Sequence, residues 1–270
     1  MGAGGVGAGV EAGVDEGVDA NLDTNLDANV GANAGASVDA RLAAIDWDRI
    51  DADLDAYGCA VVRGLLDAGQ CHAYAQAYGD EARYRSRVVM ERHGFGRGEY
   101  RYFAYPLADT LAALRTALYA PLARIANRWQ AVLGLEARFP ARHAPFIARC
   151  HAAGQLRPTP LILKYAEGDY NCLHQDLYGD HVFPLQVAVL LSRPGIDFDG
   201  GQFVLTEQRP RMQSRVEVVE LEQGDAVIFP VSVRPAGGAR GPYRVQMRHG
   251  VSRLRRGARY TLGIIFHDAA

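Results

Sequence analysis

The first 40 residues of the chain lack aromatic and basic side chains altogether. They consist largely of Gly, Ala, Val, Asp and Asn, with a loose repeat over residues 19–30 and seven acidic residues. A segment of this composition cannot bury enough apolar area to offset the entropy lost on ordering. We therefore predict that residues 1–40 form a disordered low-complexity tail. A calcium-binding glycine repeat is the alternative, although the glycine spacing does not fit it.

Lysine is almost absent, since Lys164 is the only lysine among 29 basic residues. The whole chain carries a formal net charge of −2. Because residues 1–40 hold seven acids and no base, residues 41–270 are left with 24 acids and 29 bases, a net charge of +5. This balance favours an anionic partner only weakly, because an arginine bias also reflects genome composition.

Cysteine motifs and long hydrophobic runs are also missing. The four cysteines, Cys59, Cys71, Cys150 and Cys172, show no CxxC spacing. Such a set is typical of reduced thiols in a cytoplasmic protein rather than of a disulfide or zinc framework. No run approaches the length of a membrane span, and the N-terminus lacks the basic and apolar regions of a secretory signal. We therefore expect a cytoplasmic protein without a membrane partner.

What the chain does carry is the triplet His174-Gln175-Asp176, followed far downstream by His249. In an extended strand, residues two positions apart point to one face, so His174 and Asp176 suit two ligands of a single metal. Two imidazoles and one carboxylate leave further coordination positions open, as in mononuclear non-haem Fe(II) oxygenases. Zinc would accept the same ligands, but the open positions favour iron.

Arg259 follows His249 by ten positions in a strand-like apolar run. A guanidinium fixed in a strand can grip a carboxylate bidentately, which predicts a keto acid as co-substrate of the metal. His181 and His267 compete with His249 as the third ligand. Both lie at strand ends in the predicted secondary structure, where we expect surface positions.

Five segments resemble, in the same order, elements of the 2-oxoglutarate/Fe(II) dioxygenase superfamily. They are the strand–turn–strand at residues 161–176, a GGxF strand at 199–205, a turn and strand at 224–230, and two final strands at 248–251 and 257–262. The order of five elements is more specific than an isolated HxD. The resemblance covers roughly residues 158–268 and extends to AlkB-like and prolyl-hydroxylase-like members. It includes a bacterial group linked to oxidative demethylation of damaged DNA.

One departure concerns the AlkB-type pattern, which often places an Asn two residues before the strand Tyr. Here that position is Leu163. The resemblance otherwise assigns two groups of side chains: the catalytic metal ligands His174, Asp176 and His249, and the co-substrate contacts Arg259, Tyr165 and Thr261. It implies Fe(II), 2-oxoglutarate and O2 as cofactor and co-substrates, with 2-oxoglutarate decarboxylation coupled to C–H hydroxylation.

The primary substrate stays open, because a fold does not fix a substrate. Oxidative demethylation of alkylated nucleic acid is one hypothesis, and hydroxylation of a protein side chain or a small molecule is the other. A cupin-like metal enzyme without 2-oxoglutarate represents a different class. A non-catalytic binding module fits least well with a full set of ligands.

The order of elements predicts an α+β protein. Helices are expected over residues 42–56, from Asp67, over 107–134 and within 140–155, and strands follow from Leu161 onwards. This order predicts a double-stranded β-helix (jelly-roll) core buttressed by N-terminal helices. We place a tail at residues 1–40, a helical buttress at 41–157 and the catalytic core at 158–270.

The segment at residues 83–105, called here the Arg/aromatic segment, interleaves six arginines with six aromatic residues around Gly94, Gly96 and Gly98. The glycines predict a stretch without regular structure. One interpretation is a surface connection whose aromatic side chains pack on the barrel. The other is a mobile substrate loop at the entrance of the site, able to stack on bases and contact anions.

Overall fold

The computed structural model describes residues 38–136, 138–177, 179–238 and 241–270. Most of the predicted tail, residues 1–37, lies outside these ranges. The α-helices are α1 (Trp47–Tyr57), α2 (Ala68–Gln76), α3 (Asp109–Val132) and α4 (His143–Ala152). Among the described helices, none combines the length and the hydropathy needed to cross a membrane.

The helical start of the fold is divided where the sequence predicts one helix over 42–56. Residues 38–43 are helical, and α1 begins afresh after Asp46, whose side chain accepts a hydrogen bond from the Arg49 amide at 3.0 Å. This N-cap satisfies a free amide and fixes the second start. Val38 is only 2% exposed and packs into the core, so the folded part begins before residue 41.

Two other helices agree with the sequence prediction. Asp67 caps α2, and its side chain and that of Gln70 form a reciprocal capping box. Along α3, a stripe of apolar side chains at helical spacing is buried, including Leu111, Leu114 and Leu118. These side chains join the core cluster between the helices and the larger sheet.

Fourteen strands are formed by the described residues. They are β1 (Ala60–Val62), β2 (Tyr84–Val89), β3 (Gly96–Arg97), β4 (Glu99–Phe103), β5 (Leu161–Ala166), β6 (Tyr170–His174), β7 (Leu185–Leu190), β8 (Phe198–Gly200), β9 (Phe203–Gln208), β10 (Arg215–Val219), β11 (Ala226–Pro230), β12 (Val233–Ala236), β13 (Tyr243–Val251) and β14 (Leu254–Ile264).

The strands form two antiparallel sheets. The larger has the order β1-β11-β7-β14-β5-β4-β2, with β8 paired to β14, and the smaller has the order β10-β9-β13-β6-β3, with β12 paired to β13. A second core cluster contains side chains of both sheets, for example Val227 and Phe229 with Phe203 and Leu205. The two sheets therefore face each other, and the helices cover the outer face of the larger one.

The Arg/aromatic segment differs from the prediction of an irregular stretch. It supplies β2, β3 and β4, and β4 pairs with β5, so that Tyr100 lies opposite Leu163. Gly96 explains why the glycines do not break the structure. At φ +125°, a Cβ on this residue would lie 2.4 Å from the Tyr170 carbonyl oxygen, so glycine permits close pairing of β3 with β6. Strands thus also arise from the region predicted as a helical buttress.

Candidate metal centre

The smaller sheet brings the three predicted metal ligands together. His174 ends β6 and lies directly opposite His249 of β13, with ring centroids 4.2 Å apart. Asp176 follows two residues later. Its carboxylate oxygens lie 3.4 Å from Nε2 of His174 and 3.4 Å from Nε2 of His249. The three ligand atoms all lie within 4.8 Å of one another, a spacing that one metal ion can bridge.

The two imidazoles are held differently. Nδ1 of His174 lies 2.8 Å from the carbonyl oxygen of Cys172, and a proton on Nδ1 leaves Nε2 free to face Asp176. The His249 ring packs against Phe229 at 4.7 Å and Phe203 at 6.1 Å between ring centroids. Its Nδ1 is buried without a hydrogen-bond partner in the described part of the chain. Backbone contact therefore orients one ring and aromatic packing the other.

The electrostatics favour an ionised carboxylate beside a neutral imidazole. Burial raises the pKa of Asp176, but hydrogen bonds and charge from His174 and His249 outweigh it and hold that pKa well below its usual range. Burial lowers the pKa of His174, yet Asp176 overcomes this and raises it. For His249 burial prevails and the pKa is lowered. A deprotonated carboxylate and a neutral ring nitrogen are the forms that bind a metal.

Arg259 lies on β14 in the larger sheet, opposite Tyr165 of β5. The side chain is buried, and its Nη1 donates to the Thr261 hydroxyl at 2.5 Å. Its Nε has no hydrogen-bond partner, and no carboxylate of the described residues lies within 4.0 Å of the guanidinium. Burial lowers the pKa of Arg259 to about 10, so the group stays charged at neutral pH. A buried charge without a counterion is costly unless a ligand supplies one.

Tyr165 adds a second unsatisfied polar group to the same place. Its hydroxyl is buried without a well-formed hydrogen bond, and the Asn171 amide is the polar group close enough to influence it. Burial raises the pKa of the phenol, which therefore remains a hydrogen-bond donor. The Arg259 guanidinium carbon lies 5.8 Å from the Tyr165 ring centroid and 5.9 Å from that of Phe198. The two rings fix the direction of the guanidinium.

Gly201 makes room for this arrangement. It adopts φ +60°, and a Cβ there would lie 2.2 Å from Cδ1 of Leu254 and 3.1 Å from Cδ of Arg259. The double glycine before Phe203 therefore lets the loop pass over the stem of Arg259. The GGxF motif therefore has a steric reason, because a side chain at Gly201 would collide with Leu254 and crowd Arg259.

One cavity of about 240 Å³ contains both groups of side chains, and all six predicted site residues line it. Its wall also includes Phe95, Tyr100 and Tyr102, so the Arg/aromatic segment contributes directly. Sequence reasoning did not identify Gln186, which lines the cavity from β7. The available signal was a single polar residue within the buried strand Leu185–Leu190.

The competing histidines lie outside this cluster. His267 is 1% exposed, so the predicted surface position was wrong. Its Nδ1 accepts a hydrogen bond from the Phe183 amide at 3.2 Å, and burial lowers its pKa to about 4. His181 is half-buried, with its backbone held by the Gln155 side chain. Neither ring joins the metal-ligand group found among the described residues.

Comparison with known proteins adds a family and a fold. A family model named Oxygenase-NA, described as "Oxygenase, catalysing oxidative methylation of damaged DNA", matches residues 98–269. The chain is 50% identical over 168 residues to the uncharacterized protein Rv2227 of Mycobacterium tuberculosis. The alignment covers 62% of this chain and 72% of the relative. The residues that the family model matches include His174, Asp176 and His249.

Solved structures with the same fold include two prolyl 4-hydroxylases. The enzyme from Pseudomonas putida matches with a TM-score of 0.50 at 15% identity, over 83% of this chain and 100% of that chain. The enzyme from Phytophthora capsici matches with a TM-score of 0.50 at 16% identity, over 86% of this chain and 65% of that chain. At this identity the likeness concerns the fold alone.

Proposed function

This chain belongs to the Oxygenase-NA family, and from that premise we propose that it is a 2-oxoglutarate/Fe(II) dioxygenase whose iron ligands are His174, Asp176 and His249. The observation that carries the assignment is the buried, uncompensated cation of Arg259 in the same cavity. A metal-ligand group alone would suit several ions. A metal-ligand group that shares a cavity with an unpaired guanidinium suits a chelating keto acid with a distal carboxylate.

The fold supports this placement. We propose that the two facing sheets are the layers of a double-stranded β-helix, with residues 158–270 as the catalytic core. Residues 38–157 then add the helices and the strands β1–β4 to that core, and we propose that the low-complexity tail ends before residue 38. The strand order β11-β7-β14-β5 against β10-β9-β13-β6 is the alternation of strands that such a core requires.

Each cavity side chain has a defined task in this proposal. Arg259 binds the distal carboxylate of 2-oxoglutarate through its free N–H groups, and Thr261 fixes the guanidinium by accepting from Nη1. The Tyr165 hydroxyl donates a hydrogen bond to the same co-substrate. When bound, iron would supply the oxidative chemistry, in which O2 provides one oxygen atom to succinate as 2-oxoglutarate loses CO2 and the other to a hydroxylated substrate C–H bond. The apolar wall from β9 and β11 limits the entry of water.

For the primary substrate we propose an N-alkylated base in nucleic acid. Hydroxylation of an N-methyl group gives an unstable N-hydroxymethyl group, which releases formaldehyde and restores the base. Three observations support this choice. They are the description of the family, the net charge of +5 on residues 41–270, and the aromatic cavity wall of Phe95, Tyr100 and Tyr102. Aromatic side chains can stack on a base that has left its helix.

The iron site is tested by anaerobic titration with Fe(II) and 2-oxoglutarate, followed by the visible charge-transfer band of the ternary complex. We expect the wild-type protein to show the band with one iron per chain. The substitutions His174→Ala, Asp176→Ala and His249→Ala should each remove the band and succinate formation. His181→Ala is the matched control, because this histidine lies outside the cavity. Full turnover by His249→Ala would refute the ligand assignment.

The substrate class is tested separately by formaldehyde release. Single-stranded oligonucleotides with one N-methylated base are compared with proline-containing peptides in the presence of Fe(II), 2-oxoglutarate and O2. Formaldehyde from the oligonucleotide supports the proposal. Peptide hydroxylation without formaldehyde would instead show a prolyl-type enzyme, while leaving the iron site intact.

A further inference from the structure

A second cavity, of about 510 Å³, adjoins the metal cavity. Both cavities are lined by Tyr102, Asp176, Gln186 and Ile265. The second cavity therefore meets the metal centre at the side of the Asp176 ligand. A substrate that approaches the open coordination positions from this side passes between these four residues. We call this space the arginine cavity, because its outer wall carries Arg85 and Arg157.

Arg85 is held in place by two contacts that leave part of its guanidinium free. Its Nε donates to the carbonyl oxygen of Pro158 at 2.8 Å, and its guanidinium carbon lies 4.4 Å from the Tyr102 ring centroid. No carboxylate of the described residues lies within 4.0 Å of it. Both contacts restrict the side chain, so the loss of entropy on binding an anion is reduced.

Arg157 supplies a second positive charge next to the first. Its backbone N–H and carbonyl pair with Ala269, which fixes the residue at the rim, while its side chain is exposed. The pKa of Arg85 is lowered first by burial, and the charge of Arg157 lowers it further. Asp268 also lies near, but its carboxylate is bound to Arg115 at 2.7 Å. The two positive charges repel each other, and an anion bound between them reduces this repulsion.

Gln186 provides an independent sign of a ligand at the junction. The side chain is 4% exposed, and its Nε2 has no hydrogen-bond partner among the residues that the structure describes. A buried donor without a partner destabilises the folded state. Since Gln186 lines both cavities, a ligand that extends from one to the other would supply the missing acceptor. Neither the iron ligands nor the contacts assigned to 2-oxoglutarate explain this amide.

We propose that the arginine cavity is the primary-substrate site and that Arg85 and Arg157 bind a phosphodiester group of a single nucleic-acid strand. The attached nucleotide then enters the metal cavity past Gln186, which donates a hydrogen bond to its base. This inference rests on the proposed nucleic-acid function. Planar guanidinium groups match phosphate oxygens in geometry.

The test compares demethylation kinetics of the full chain with those of Arg85→Gln and Arg157→Gln on an oligonucleotide with one N-methylated base. Each variant should raise KM about tenfold with a much smaller effect on kcat. The slope of log KM against log salt should fall by about 0.7 for each lost phosphate contact on a single strand. Arg85→Lys should recover part of the loss, because it restores the charge without the planar fork.

Two controls separate binding from folding. Arg124→Gln removes an exposed arginine on α3, away from both cavities, and should leave KM and the salt slope unchanged. The anaerobic charge-transfer band of each cavity variant shows whether the iron site is intact. Replacement of the phosphates around the target nucleotide by methylphosphonates should raise the wild-type KM to the level of the arginine variants.

The outcomes distinguish this inference from the proposed function. If the oligonucleotide is demethylated but the arginine variants keep the wild-type KM and salt slope, the phosphate site is overturned and the function stands. If the wild-type protein forms the charge-transfer band but releases no formaldehyde from any oligonucleotide, the nucleic-acid function fails, and this phosphate site fails with it. The site is supported if the arginine variants show a higher KM and a reduced salt slope, and if methylphosphonates raise the KM of the wild type but not that of the variants.

Discussion

At the scale of single residues, Arg259 is a buried cation, and no carboxylate of the described residues lies within 4.0 Å of its guanidinium. Its one hydrogen bond goes to Thr261, and it lies buried between the rings of Tyr165 and Phe198. Burial of an arginine in a structural role normally comes with a carboxylate, as for Arg115 with Asp268. The contrast between these two buried arginines supports a ligand-binding role for Arg259.

Replacement of Arg259 tests that role directly. Arg259→Ala should raise the KM for 2-oxoglutarate by 30-fold or more, because loss of one partner of a buried charge pair costs about 2–5 kcal/mol. The KM of Arg259→Lys should lie between those of the wild type and Arg259→Ala, since lysine keeps the charge but not the planar fork of donors. The measurement is succinate formation against 2-oxoglutarate concentration. Arg256→Lys, an exposed residue of the same strand paired with Asp199, is the control.

An unchanged 2-oxoglutarate dependence in Arg259→Ala would contradict the assignment. Iron binding should survive in both variants, because His174 and His249 lie in the smaller sheet, Asp176 follows β6 directly, and Arg259 lies in the larger sheet. Iron content is therefore measured on the same preparations.

Site residues could be predicted from the sequence where their chemistry is rare and their spacing is fixed. His174 and Asp176 are two positions apart on one chain, and His249 and Arg259 follow in a known order. Gln186 could not be predicted, because nothing in a sequence shows that a buried amide lacks a partner. Arg85 and Arg157 are 72 positions apart in the sequence. The pairing of β2 with β4, of β4 with β5, and of Arg157 with Ala269 brings them to one cavity.

At the scale of elements, glycine positions explain both a success and a failure of sequence reasoning. Gly200 and Gly201 follow the expected GGxF pattern, and their positive φ values fit the turn before β9. The sequence alone predicts that Gly96 and Gly98 interrupt regular secondary structure. In the fold they permit close strand contacts instead, since a Cβ on Gly98 would lie 2.9 Å from Cδ1 of Tyr165. Glycine frequency alone does not tell a turn from a close approach.

Gly201→Ala gives a prediction at this scale. The φ of +60° costs an alanine about 1–2 kcal/mol, and the added Cβ collides with buried Leu254 and approaches Arg259. We expect a lower melting temperature together with a higher KM for 2-oxoglutarate. Gly195→Ala is the matched control, because its φ of +75° carries a similar strain with no atom within 4 Å.

The two variants should therefore differ in KM more than in stability. Equal KM values for Gly201→Ala and Gly195→Ala would show that the passage over Arg259 tolerates a methyl group. Thermal unfolding and steady-state kinetics on the same samples decide between the outcomes.

At the scale of the whole molecule, the N-terminal boundary of the fold becomes testable. Composition alone suggests a start near Arg41, but Val38 belongs to the core between the helices and the larger sheet. Deletion of residues 1–37 should leave melting temperature and turnover unchanged, since their composition does not favour a packed element. Deletion of residues 1–40 should cost about 1–2 kcal/mol through the loss of Val38. Denaturant unfolding of both truncated proteins measures the difference.

Equal stability of the two truncated proteins would show that Val38 contributes little. Loss of the fold on removal of residues 1–37 would show that the tail carries structure that its composition does not predict.

The division of the site between the two sheets has a further consequence. The proposed ligands His174 and His249 come from the smaller sheet, and Asp176 follows its strand β6, whereas Arg259 and Tyr165 come from the larger sheet. A co-substrate held by both groups therefore fastens one layer of the sandwich to the other. At a hundred times its Kd it should stabilise the folded state by about 2.7 kcal/mol. Amide hydrogen exchange should then slow in β6, β13, β5 and β14 together, so that the supply of 2-oxoglutarate sets how often the sandwich opens.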